Sequence, residues 1–258
     1  MAKPENRGDY VQSIERGLSV ILAFADHHPQ LSISALAEAT GLSKPTVRRI
    51  ALTLEELGYL RRDGRLYSLT PHVLALGNAY LSSIDLTEVA QPYMEEVTSK
   101  TGQTCSMAAL DGEDAVQIAR VPAGRVLSIT LTTGTRLPAY ATSMGRVLLA
   151  GLTDGEIERF LAQVTLHPLT PRTTTDPDRL REILLTVREQ GWALVDQELE
   201  EGVRSFSAPV RDSTNRVVAS LSMSCHAATV SLATIHDEYL PILVKAAGEI
   251  SSRLGATL

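Results

Sequence analysis

The run from Ser32 to Tyr67 limits this 258-residue chain more than any other segment, because it breaks one short helix against another at a fixed point. In Thr40-Gly41-Leu42-Ser43, Gly41 suits the left-handed conformation that ends a helix, and Ser43 can accept a backbone N–H to start the next. Val47, Ile50, Ala51, Leu54 and Leu57 then recur at helical spacing and are expected to pack on Ile33, Leu36 and Ala37 of the preceding helix. Pro45 is tolerated because it falls in the first turn. An outward N-terminal turn carrying Ser43, Lys44, Pro45, Thr46, Arg48 and Arg49 has what a recognition helix needs to reach base edges and phosphates in a major groove. Two strand-like runs follow, from Tyr59 and from Arg65, with Asp63-Gly64 expected as a two-residue hairpin turn and Arg61, Arg62 and Arg65 clustered at its tip. Singly, each piece has an ordinary reading as a helix pair or a solvated basic surface. In this order they predict a winged helix-turn-helix whose partner is double-stranded operator DNA.

The formal net charge of -6 would oppose nucleic acid if it were evenly spread, but it is not. Between residues 43 and 65 six basic residues stand against Glu55, Glu56 and Asp63, so the acidic excess lies elsewhere. The two cysteines, Cys105 and Cys225, form no CxxC pair, and no signal peptide or uninterrupted apolar span is evident; the expectation is a cytoplasmic protein with reduced, core-forming cysteines and no membrane partner. Cys225-His226 is adjacent and not at metal-ligand spacing, His27-His28 near a helix end suits the negative end of the helix dipole better than a metal site, and no cofactor is expected. A metabolic enzyme with a fused winged helix is the alternative from another class. The chain gives it no GxSxG elbow, HExxH, phosphate-binding glycine loop or dinucleotide fingerprint. A constitutive architectural DNA binder would not need the long remainder of the chain.

Residues 1–9 are polar and expected to be disordered. Ser13 is expected to cap a helix that turns Ile14, Leu18, Ile21, Leu22 and Ala25 inward, with Arg16 placed to reach a phosphate. Pro71 opens a helix through Val73, Leu74, Leu76, Gly77 and Tyr80 to about Ser82, and another follows with Asp85 and Glu88 at capping-box spacing and a kink expected at Pro92. The organisation expected is a DNA-binding domain over 1–70, a linker helix over 71–84 and a second domain over 85–258. One recognition helix reads few base pairs, so a homodimer is expected, with Leu18, Leu22, Leu76 and Tyr80 as its surface.

Beyond residue 100 strands interleave with helices, which makes the class α+β. Strands are expected at 103–110, 115–121, 126–131, 192–198, 205–211 and 217–225, and helices at 145–152, 154–163, 178–190 and 232–254. In the last strand Val217, Ala219, Leu221, Met223 and Cys225 alternate with Val218, Ser220, Ser222 and Ser224, so one face is apolar and the other mostly hydroxyl, suited to solvent at a sheet edge or to a ligand. Thr142 and Ser143 directly precede a short apolar helix, where N–H groups and the helix dipole favour an anion, although an ordinary cap reads the same way. Arg120, Arg136, Arg146 and Arg204 are all candidates to pair a carboxylate.

Four stretches together resemble the IclR family of transcriptional regulators: Ser13-Ile-Glu-Arg-Gly-Leu, the unit from Gly41 to Leu60, Leu137-Pro-Ala-Tyr-Ala-Thr-Ser-Met-Gly-Arg, and Asp196-Gln-Glu-Leu-Glu-Glu-Gly-Val-Arg-Ser. Their fuller forms resemble the branch that controls aromatic-acid catabolism through the β-ketoadipate pathway. The resemblance implies a C-terminal GAF-like α/β effector-binding domain with an antiparallel sheet, responding to a small organic acid. By matching position, it implies polar contacts from Ser143, Met144, Asp196, Ser205, Ser222 and Ser224 and an apolar wall from Val126, Ile129, Leu137 and Val203. The sequence departs from some relatives at Ser205, where they carry cysteine, and at Gln197, where they carry an acid; a changed donor or charge alters which carboxylate or hydroxyl pattern is accepted, so the resemblance does not carry over the effector's identity. It further implies dimers pairing into tetramers, with RNA polymerase as an additional candidate partner.

Overall fold

The structure is a computed structural model that describes residues 10–25, 29–77, 86–123 and 132–257. The chain divides into two compact units, Met1–Ser83 and Ile84–Leu258.

The first unit contains α1 (Gln12–Leu22), β1 (Leu31–Ser32), α2 (Ile33–Thr40), α3 (Lys44–Glu56), β2 (Leu60–Asp63) and β3 (Leu66–Leu69). Ser32 caps α2 by accepting the Ala35 N–H at 3.2 Å, and Gly41 ends it at φ 68°. Val20, Phe24, Leu36, Val47, Ala51, Leu54, Leu60 and Tyr67 fill one core, with Ile33, Ala37 and Ile50 packed around it. β1, which the sequence did not suggest, pairs with β3 and completes a sheet of order β1-β3-β2.

Several expectations need correction here. α1 begins at Gln12 after Val11 and has no side-chain cap, so Ser13 is not its N-cap. Its core stripe is Val20 with Phe24 just beyond the helix, one turn apart, whereas Ile14, Leu18 and Leu22 remain 60%, 49% and 68% exposed. Leu57 also lies outside the core: it stands at the helix end, Gly58 turns the chain at φ 81°, and Leu60 takes the buried place. In the hairpin Asp63 pairs with Leu66, so the two-residue loop is Gly64-Arg65, with Gly64 in the left-handed region. Thr70 caps a single 3-10 turn over Pro71–Val73, and helix continues through 74–77. Tyr80, Ser82, Asp85, the 126–131 strand, His27-His28 and the 1–9 segment lie outside the described residues.

The second unit contains α4 (Leu86–Thr101), β4 (Thr104–Asp111), β5 (Asp114–Val121), β6 (Arg136–Pro138), α5 (Ser143–Ala150), α6 (Asp154–Gln163), α7 (Pro177–Gln190), β7 (Ala193–Asp196), β8 (Val203–Arg211), β9 (Val217–His226) and α8 (Leu240–Arg253). The fold is α+β. Its six strands pair antiparallel in the order β6-β5-β4-β9-β8-β7. β6 is an addition to the expected strands.

α4 runs through Pro92 without a break, since burial of Ala90, Met94 and Val97 outweighs the one lost backbone bond. α5 begins two residues earlier than expected and is capped by Thr142, whose Oγ1 accepts the Gly145 N–H at 3.0 Å. Alternation along β8 separates the sheet faces: Phe206 stacks on Tyr239, which leads into α8, while Ser207 meets Ser143 of α5. β9 lies between β4 and β8, so its hydroxyl face is interior to the sheet and not a solvent-facing edge. Cys105 and Cys225 are unpaired and buried, and burial pushes their thiols up to about 12 and about 11.

Candidate functional site

In the first unit the candidate surface is the start of α3. Ser43 Oγ accepts the Thr46 N–H at 3.4 Å and shares a 2.8 Å hydrogen bond with Thr46 Oγ1, which fixes the first turn where Pro45 sits. Val47 is buried, while Lys44, Pro45, Arg48 and Arg49 point outward. Arg16 of α1 lines a groove with Thr46 and Arg49 of α3, which joins a phosphate-reaching cation to the helix start. The three hairpin arginines are not equivalent. Arg61 Nε donates to Ser68 Oγ at 3.0 Å, Arg62 lies 3.5 Å from Glu55 on α3, and Arg65 is exposed in the loop.

In the second unit strand register turns alternation into a grid. Ser224 pairs with Thr104 on β4 and with Ser205 on β8, and Ser222 pairs with Ser106 and Ser207 in the same way, so two rows of three hydroxyls cross the sheet on the face toward α5. Between this grid and α5 lies a cavity of about 40 Å³, enough to hold water.

Of the sequence-predicted residues, Leu137, Met144, Val203, Ser205, Ser222 and Ser224 line this cavity. Ser143 and Asp196 sit elsewhere. Ser143 is fully buried and shares a 2.7 Å hydrogen bond with Ser207, tying α5 to β8. Asp196 pairs with Arg204 at 2.6 Å and Arg172 at 3.0 Å. Val126 and Ile129 lie outside the described residues. The cavity also takes Thr104, Ser106, Arg120, Thr142 and Leu199. Thr104 and Ser106 repeat in β4 the alternation seen in β9 and were readable by it; Leu199 had no such pattern.

The arginines separate by what they touch. Arg146, nearly fully buried, binds Glu198 through two 2.7 Å hydrogen bonds and donates from Nε to the Tyr140 carbonyl at 2.9 Å. Arg136 holds Asp111 and Asp114 at 2.6 and 2.9 Å. Arg204 adds the carbonyls of Ala227 and Val230 to its contact with Asp196. Arg120, opposite Ser106 across the β4–β5 pair, is the one of the four that lines the cavity. Burial raises the Glu198 and Asp196 carboxyl pKa values, but paired guanidinium groups outweigh it and hold both below the ordinary carboxylate range. Between these two acids Gln197 adopts φ 64°, and its Oε1 accepts the Gly202 N–H at 3.0 Å, closing the turn that carries Leu199. Among the described residues no cluster of metal-ligating side chains occurs, and no helix is long and apolar enough to cross a membrane.

Comparison with known proteins covers both units. Residues 13–64 match the IclR helix-turn-helix domain, and residues 78–252 match the C-terminal domain of bacterial IclR transcriptional regulators. The Pca regulon regulatory protein of Pseudomonas putida is 42% identical over 247 residues, 95% of this chain and 85% of that protein. The p-hydroxybenzoate hydroxylase transcriptional activator of Acinetobacter baylyi is 34% identical, over 94% of this chain and 91% of that protein. The crystal structure of a transcriptional regulator from Rhodococcus sp. RHA1 superposes with a TM-score of 0.86 at 46% identity, covering 95% of this chain and 98% of that one. These relatives are regulators, not enzymes, which removes the fused-enzyme alternative. The chain belongs to the IclR family of effector-responsive, DNA-binding transcriptional regulators, alongside members that control aromatic-acid catabolism.

Proposed function

We propose that this regulator reads operator DNA with α3 and its hairpin and senses a small organic acid in the hydroxyl-lined cavity of its second unit. Lys44, Thr46, Arg48 and Arg49 would enter the major groove from the Ser43-capped turn, Arg16 would hold a phosphate, and Arg61, Arg62 and Arg65 would follow the backbone. Residues 1–70 would then serve DNA and 85–258 the effector, with 71–84 as the connection. The observation that carries the effector reading is the cavity itself, in which Arg120 offers a charge beside Ser106, Ser222 and Ser224, while Leu137, Met144 and Val203 supply apolar contact. That combination suits a carboxylate on an apolar frame. The relative tied by name to p-hydroxybenzoate hydroxylase supports an aromatic acid as the frame.

A ligand that binds only the native state raises its melting midpoint. Thermal-shift measurements on the full chain with benzoate, 4-hydroxybenzoate and adipate should therefore give a dose-dependent rise for at least one acid, and the Arg120→Gln, Ser222→Ala double variant should lose it. A rise of equal size in that variant places the acid elsewhere.

Homodimers would form through the apolar stripe of α1, Ile14, Leu18 and Leu22, together with the exposed Leu74 and Leu76 in the same unit. Pairing of dimers into tetramers, contact with RNA polymerase and a cytoplasmic location complete the reading. Leu18→Glu should convert the dimer to monomer by light scattering; an unchanged mass locates the interface on another face.

A further inference from the structure

The cavity is smaller than any organic acid on an apolar frame. Its volume of about 40 Å³ is far below the roughly 150 Å³ that holds one benzene ring, so a wall must move before such a molecule can enter. Most of the walls are fixed. The hydroxyl rows are held by ladder pairing of β4, β9 and β8, and α5 is fastened by the Ser143–Ser207 bond and by the close crossing at Gly145. Leu199 differs. Apart from Thr142, the cap of α5, it is the one described lining residue outside a strand or helix. It is half-buried, as a side chain must be that faces the cavity on one side and solvent on the other, and its lining neighbours Val203, Ser205 and Ser224 are half-buried too. One mouth of the cavity therefore lies at the turn that carries Leu199.

This turn has a fixed post and a tip. The Gln197 carbonyl accepts from Thr170 Oγ1 at 2.8 Å and the Glu198 carbonyl from Thr173 Oγ1 at 2.6 Å, while the Glu198 carboxylate holds Arg146 and the Thr174 N–H at 2.8 Å. Past Glu198 the support changes. The Gln197 side chain spans the tip, its Oε1 accepting the Gly202 N–H at 3.0 Å while its Nε2 donates to Asp196 Oδ1 at 3.2 Å. Only an amide both accepts and donates in this way. Gln197 and Gly202 flank the tip at φ 64° and 83°, the kind of turn positions at which a short segment can pivot.

We propose that the tip, residues 199–201, is the lid of the cavity and that the Gln197 amide is its latch. Breaking the Gln197–Gly202 hydrogen bond lets the tip turn about Gln197 and Gly202, lifts Leu199 off the hydroxyl rows and opens a way in. Gln197 acts through Leu199 and is a positioning residue. Use of the lid by an effector rests on the effector reading made above, whereas the lid itself does not. A single neutral hydrogen bond suits a latch, because it biases closed over open by only about two- to tenfold. That keeps water and small solutes out for most of the time without sealing the cavity.

The test is thiol labelling of the full chain without ligand. Ser222→Cys puts a thiol deep in the cavity, where Ser222 is 1% exposed, while Cys105 and Cys225 are buried on the opposite face of the sheet and report opening of the whole unit. The probe is methyl methanethiosulfonate, with modification at each cysteine followed by mass spectrometry of digests. Gln197→Ala keeps a Cβ at the same φ and removes only the amide. In the Ser222→Cys background it should speed modification of the introduced thiol about two- to tenfold, with Cys105 and Cys225 unchanged. Leu199→Ala, which removes the lid's apolar contact, should speed it about tenfold and carries the test if Gln197→Ala fails to fold. An unchanged rate in both variants, or equal acceleration at all three cysteines, overturns the lid. If no acid raises the melting midpoint, the effector reading falls while the labelling rates still decide the lid.

Discussion

The first unit keeps its candidate contacts outside and close together in sequence, from Lys44 to Arg65 with Arg16 beside them, while the second keeps its own inside and draws them from β4, β5, β8, β9 and α5. An exposed lysine or arginine needs only a helix or loop to stand on, because water satisfies it until DNA arrives. A buried hydroxyl or guanidinium must have its surroundings fixed in three dimensions before any ligand is bound. Among the described residues the second unit accordingly has supports without counterpart in the first: Arg146 and Glu198 locked together, Ser143 tied to Ser207, and a backbone crossing at Gly145 too close for a side chain. Rigidity is thus a requirement of the effector unit and much less one of the DNA face.

The largest break in that comparison should come from Gly145. A Cβ there would lie 2.2 Å from the Ala139 carbonyl oxygen, so Gly145→Ala should destabilise the second unit by about 3 kcal/mol or more, read by thermal melting. Gly41→Ala meets no atom within 4 Å and pays only for its positive φ, about 1–2 kcal/mol. Equal losses at the two positions would show that the crossing relaxes easily.

Glu198→Ala leaves the buried Arg146 charge without its partner, for an expected loss of about 3–5 kcal/mol. The pH dependence follows the same pair. With its folded-state pKa depressed, Glu198 contributes stability above the unfolded carboxyl pKa of about 4.3, and this is lost as pH falls through the folded value. Acid titration of the Glu198→Gln variant should lack that component, and an acid profile identical to wild type would remove the pair from the account.

On the DNA side effects should be smaller and should leave melting untouched. Arg48→Ala should relax base preference by about 1–3 kcal/mol, whereas Arg62→Ala, braced at 3.5 Å from Glu55, should weaken all sequences alike and reduce the salt dependence. Anisotropy titrations on specific and random duplexes separate these, and equal losses on both duplexes in both variants contradict the division. Smallest is Ser143→Ala, which loses one buried hydrogen bond to Ser207: melting should fall by about 1 kcal/mol with effector affinity unchanged. A weaker titration without a lower midpoint would return Ser143 to the cavity.

The same difference explains what was readable in the sequence. Ser43, Gly41 and Pro45 specify the corner between α2 and α3 through local backbone chemistry, and the structure keeps that corner where the residues indicate it. Periodicity alone does not give the core face of α1, because Ile14, Leu18 and Leu22 form a helical stripe as regular as the one containing Val20, and only tertiary packing with Phe24 chooses between them. In the second unit the alternation of β9 revealed a hydroxyl face but not its neighbours. That Thr104 and Ser106 extend the face depends on strand order, and that Ser143 and Asp196 are engaged elsewhere depends on Ser207 and Arg204, 64 and 8 residues away in sequence. Arginine roles were unreadable for the same reason, since each is fixed by the acid or cavity it meets.

The most direct test of the central claim is a crystal structure of the full chain grown with an acid that raises its melting midpoint. The account predicts the carboxylate within hydrogen-bond distance of Ser222 Oγ and the Arg120 guanidinium, between the sheet and α5. An acid bound instead on an outer surface, with the cavity between β9 and Met144 unchanged, would contradict it.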